Sequence, residues 1–180
     1  MNMKKIFWGM LFVFFNFTLT FGSSKLGLIP DFVGYLLMLS GVAELRGESE
    51  CFVKAKPALI VMTIISLLFY IADFLGFGDT NSVILVMIIN GLIVAGNLYS
   101  TYMITYGIKE METNRQTDLA AERLMYMWKV RAMFTILTYL VLFIPILSLI
   151  CIIVSLVFAV LYLIAFNRSR KLVEQFQLES

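Results

Sequence analysis

The chain has 180 residues, 61% hydrophobic and 14% charged, with no histidine and a mean hydropathy of +0.91. Its 14 Lys and Arg against 12 Asp and Glu leave a net charge of +2, too little and too dispersed to argue for nucleic acid. Without histidine, and with only Cys51 and Cys151, zinc sites and His-based catalysis are excluded; no GxxxxGK loop or GxSxG elbow occurs, so neither an ATPase nor a cofactor is expected.

A hydrocarbon core of about 30 Å needs roughly 20 apolar residues per helix. In chain order, the predicted spans are 6–21 after Lys4 and Lys5, 28–45 beginning near Pro30, 57–76 and 82–106. The start has a basic, then apolar, then small-residue pattern like a secretory signal, but its crowded aromatics, Asn16 and the span that follows favour a retained transmembrane helix. The last apolar stretch, Ala132 to Phe166, runs 35 residues without a charge. One helix of that length would measure about 52 Å, so a hairpin turn near Pro145 is expected to divide it into spans 128–144 and 147–166. The expectation is an all-α integral membrane protein: a six-span helical bundle of three helical hairpins, forming one transmembrane domain over 1–180.

Charge orients it. Of the 14 basic residues, all but Lys25 fall in alternate gaps between the apolar runs, which puts both termini in the cytoplasm. Trp8 and Tyr126-Met127-Trp128 flank the basic clusters as interfacial aromatics do. The segment 107–131 reads as a helical extension, with Thr117-Asp118 as a capped start. The loop 46–56 reads as a solvated turn, with Gly47 ending the second helix. Both are candidate contact surfaces for a cytoplasmic or membrane protein partner.

Polar groups inside a bilayer each need a reason. In the fourth span Asn90, Asn97, Thr101 and Thr105 lie within about 80° of one another at 100° per residue. This stripe either packs against neighbouring helices through its amides and hydroxyls or lines a ligand cavity. On the outer side Asp31, Asp73 and Asp79 sit among Tyr35, Tyr70, Phe32 and Phe74, a mouth whose charge and ring faces suit a cation or planar ligand. Helix-start and turn chemistry is the competing reading for Pro30-Asp31 and Gly78-Asp79.

Two peptidase look-alikes arise. Gly76-Phe77-Gly78-Asp79 and Pro57-Ala58-Leu59 match the GxGD and PAL patterns of intramembrane aspartyl proteases, but in reverse order and at opposite membrane faces. Ile29-Pro30-Asp31 resembles a prepilin-peptidase segment whose partner Asp, upstream of the proline, is absent here. A pair of carboxylates sharing one proton is therefore the remote alternative.

Lys5-Ile6-Phe7-Trp8-Gly9, Leu28-Ile29-Pro30-Asp31-Phe32-Val33-Gly34-Tyr35-Leu36, Gly41 to Glu44 and Phe52 to Lys56 resemble a family of small polytopic membrane proteins of Gram-positive bacteria with no assigned activity. That resemblance implies a bacterial cytoplasmic membrane address. Size and span number also resemble the substrate-binding S-components of energy-coupling-factor transporters, although Gly9 to Val13 and Asn16 to Thr20 depart from their AxxxA docking pattern. The expected function is a non-enzymatic small-molecule binding or transport subunit. The alternative is an accessory or sensor protein.

Overall fold

A computed structural model describes the backbone of residues 3–15, 18–21, 24–27, 30–75, 83–141 and 144–179, and side chains within 3–15, 30–72, 74–75, 87–141 and 144–176. The described chain comprises six helices and one strand pair: α1 (Met3–Phe14), β1 (Thr18–Phe21), β2 (Ser24–Gly27), α2 (Asp31–Glu44), α3 (Glu50–Phe74), α4 (Val83–Arg115), α5 (Ala121–Leu140) and α6 (Pro145–Glu179). Three of them are long and apolar enough to cross a membrane, at Glu50–Ala72, Met87–Arg115 and Pro145–Phe176.

The helix expected over 6–21 ends at Phe14. Thr18-Leu19-Thr20-Phe21 alternates with period two and pairs antiparallel with β2, Thr18 opposite Gly27 and Phe21 opposite Ser24. At 12 residues α1 rises only about 18 Å, and the 14 residues of α2 only about 21 Å. The expected span 28–45 is thus a shorter helix starting at Asp31. α5 is 20 residues long, yet its stretch up to Arg131 carries Glu122, Arg123, Lys129 and Arg131, so length alone does not make it a membrane span. The division near Pro145 is present: α5 stops at Leu140 and α6 begins at Pro145, where a proline loses no hydrogen bond.

The chain falls into two compact units, Asn2–Thr101 and Tyr102–Ser180. In the first, α1 packs on α2 and α2 on α3. Met3, Ile6 and Met10 from α1, Tyr35, Met38 and Val42 from α2, and Phe52, Ala55, Leu59 and Met62 from α3 are buried. Every one of the α3 residues lies in that helix's basic half. Leu67, Leu68, Phe69, Ile71 and Phe74, toward its other end, are exposed. Val53, Ile60 and Val61 in the basic half are exposed as well, so burial there is confined to the stripe of Phe52, Ala55, Leu59 and Met62.

Glycine sets the α1–α2 distance. A Cβ on Gly9 would come within 2.5 Å of the Gly34 carbonyl oxygen, and one on Gly34 within 2.8 Å of the Gly9 carbonyl. Lys5 donates to Ser40 Oγ at 3.2 Å and pairs with Glu44, clasping the same two helices at their basic end. Only the start of the segment 46–56 is a solvated turn, with Arg46 and Gly47 exposed; Ser49 Oγ then accepts from the Cys51 N–H at 3.0 Å, α3 starts at Glu50, and Phe52 is fully buried. An N-cap serine with an acid in the first turn outweighs the local polarity.

In the second unit α5 and α6 form an antiparallel hairpin. Phe134 stacks on Phe158 at 6.4 Å, and Thr135 shares a 2.8 Å hydrogen bond with Ser155. The elbow before α5 is organised by Glu112, whose carboxylate accepts the N–H groups of Leu119 at 2.7 Å and Ala121 at 3.0 Å. Helix α5 is therefore capped from α4 rather than by Thr117 or Asp118. Asp118 instead accepts from Ala120 N–H at 2.8 Å, within a loop whose Gln116 and Ala120 have φ of 51° and 56°.

Candidate ligand-binding face of the fourth helix

The polar stripe of α4 meets a different environment at each turn. At its basic end the Thr105 hydroxyl is buried and shares a 2.8 Å hydrogen bond with the Tyr162 hydroxyl of α6. One turn back, Thr101 is buried and donates to the Asn97 carbonyl at 2.8 Å. Ser100 likewise donates to the Gly96 carbonyl at 2.8 Å, so these hydroxyls are satisfied along their own helix. Asn97 is half-buried and donates from Nδ2 to the Tyr35 hydroxyl of α2 at 3.1 Å. Asn90, two turns further on and about 10 Å along the axis, is exposed.

Of the candidate ligand-binding residues, the structure joins Tyr35, expected at the mouth, directly to Asn97 of the α4 stripe. Tyr35 is 2% exposed, so it forms part of the interior and not of an open rim. Tyr70 is half-buried, edge-on to Phe32 with ring centroids 5.6 Å apart, and Asp31 is half-buried in the first turn of α2. Asn90 makes no pair with Tyr35 or Asn97. Asp73 lies in α3 with its side chain outside the described residues, as do Asp79, the whole GFGD segment and Asn16. Pro57-Ala58-Leu59 sits within α3, its leucine buried.

The other side of α4 is apolar. Gly96 abuts Met62, and nearer the far end Ile65, Leu68 and Phe69 of α3 and Ile89, Leu92 and Ile93 of α4 line a cleft of about 260 Å³. Among the described residues no group of three Cys, Asp or Glu side chains is placed to hold a metal ion.

Sequence reasoning missed the polar pairings of the second unit. Arg131, expected on a cytoplasmic helical extension, is buried at 8% exposure. The available signal was Tyr162 itself, the one tyrosine in the apolar run 145–166. No family model, curated protein or solved structure matches this chain.

Proposed function

We propose that this chain is a small-molecule binding or transport subunit of a bacterial cytoplasmic membrane, without an ATPase or other catalytic activity of its own. In this reading it crosses the bilayer six times as three helical hairpins, with both termini inside. The short α1–α2 pair then crosses where the bilayer thins locally, and the strand pair lies at the outer interface, because open strand edges do not sit in lipid.

One observation carries the reading: the polar face of α4 is hydrogen-bonded from Asn97 to Thr105 and exposed at Asn90. An amide exposed at membrane depth costs free energy unless water or a ligand meets it. The Tyr35–Asn97 pair then forms a floor, Asn90 a wall, and the acids Asp31, Asp73 and Asp79 a cation-attracting entrance. Mass spectrometry of everything that co-purifies in mild detergent with a tagged copy from native membranes tests this. A bound small molecule, or an ATPase module with its coupling subunit, is the expected result, and Asn90→Leu should insert normally yet lose it. Recovery of the chain with neither would overturn the reading.

The accessory alternative is favoured by one specific feature, the elbow that Glu112 holds between α4 and α5 with Asp118, Glu122 and Arg123 exposed on it. It requires that reversing Glu122 and Arg123 disrupts a protein complex while Asn90→Leu leaves that complex intact.

A further inference from the structure

Helix α6 carries a straight exposed strip along most of its length. Ile153, Val157, Val160, Ile164, Arg168, Lys171 and Gln175 are all exposed and follow one another at steps of three and four. At 100° per residue they fall within about 80° of one another. Tyr162, Phe166, Ser169 and Val173 on the opposite face are buried, so the strip is the outer face of the second unit.

Its chemistry changes once, between Ile164 and Arg168. The apolar part from Ile153 to Ile164 rises about 16 Å, close to the roughly 15 Å of one leaflet's hydrocarbon. Beyond it, Arg168 and Lys171 are three residues apart, which sets neighbouring side chains on one face about 5 to 6 Å apart at Cβ. That spacing lets two cations flank a single phosphate, the arginine through a fork of N–H donors. Among the described residues neither has an ion pair; Glu174, three residues after Lys171 and about 60° from it around the helix, is half-buried and 4.0 Å from Arg170 Nε.

The other juxtamembrane cations differ. Lys54 of α3 is held by Glu50 at 3.4 Å, and Lys129 shares the exposed face of α5 with Glu122 two turns away. Each of those faces carries its own carboxylate. The strip on α6 joins two cations to an apolar run one leaflet long, and the carboxylate nearest them, Glu174, lies against Arg170.

We infer that this face of α6 is a binding site for an anionic phospholipid. The phosphate sits between Arg168 and Lys171, Gln175 lies beside the headgroup, and an acyl chain runs along Ile164, Val160 and Val157. The complementarity is that of a whole lipid molecule, charge at one end and hydrocarbon along the rest.

The full chain in nanodiscs of phosphatidylcholine with a minor fraction of phosphatidylglycerol provides the test, with retained lipid counted by native mass spectrometry after transfer to neutral detergent. The unmodified chain is expected to retain phosphatidylglycerol preferentially. The R168Q/K171Q variant should weaken that preference by about 30-fold, roughly fivefold per cation. The charge-conserving R168K/K171R variant should keep most of it, and K54Q/K129Q should change it by about twofold or less, since those cations have acidic neighbours. Equal losses in R168Q/K171Q and K54Q/K129Q, or none in R168Q/K171Q, would overturn the site. Glycerol 3-phosphate, a headgroup without chains, should not displace the lipid; displacement would overturn the acyl seat.

Discussion

The two hairpins at the ends of the chain hold together by different means. α1 and α2 meet backbone to backbone at Gly9 and Gly34, with the Lys5–Glu44 pair at one end. α5 and α6 meet through side chains: a Phe134–Phe158 stack and a Thr135–Ser155 hydroxyl pair, beside the Tyr162 that bonds Thr105 of α4. Short helices offer few side-chain contacts, so close backbone approach must supply the packing. Long helices distribute it over many residues. The first hairpin should therefore fail abruptly at one position, and the second should erode in small steps.

The sharpest break is Gly34→Leu. Its Cβ would overlap the Gly9 carbonyl, a backbone atom that cannot rotate away, so the expected loss is about 3 kcal/mol, with α1 undocked from α2. Unfolding in mixed detergent micelles measures the loss, and a Gly34→Leu variant as stable as the parent would contradict the backbone contact. Next in size is Tyr162→Phe, which leaves the Thr105 hydroxyl without this partner at a fully buried site. About 1 to 2 kcal/mol is expected by the same assay, without undocking of α5 from α6. Smallest is Thr135→Val, which removes one interhelical bond of a kind worth about 0.6 kcal/mol on average in membrane proteins. A Thr135→Val loss as large as that of Gly34→Leu would erase the distinction between the hairpins.

Much of the helical frame was legible from apolar run length and charge. The long α3, α4 and α6 and the break before Pro145 follow from local composition. The end of α1 at Phe14 was less visible, because hydropathy sums apolar content and ignores the period-two alternation of Thr18 to Phe21. Phe52 shows a related failure: a charged neighbourhood suggested solvent, but the residue is buried as α3 packs on α2. The candidate site divided in the same manner. Its stripe on α4 could be read from spacing, whereas no local signal marked Asn97 as the partner of Tyr35 and left Asn90 exposed.

By itself the sequence determined that this is a hydrophobic, helix-rich chain with its cations gathered in alternate gaps, because solvation acts residue by residue and its sum survives any arrangement. Tertiary structure alone decided which polar groups are satisfied and which are exposed. Tyr35 and Asn97 are 62 residues apart, and Thr105 and Tyr162 are 57 apart. Such bonds depend on how helices approach one another, as the α1–α2 contact depends on Gly34 lacking a side chain and the start of α5 on the Glu112 carboxylate nine residues away.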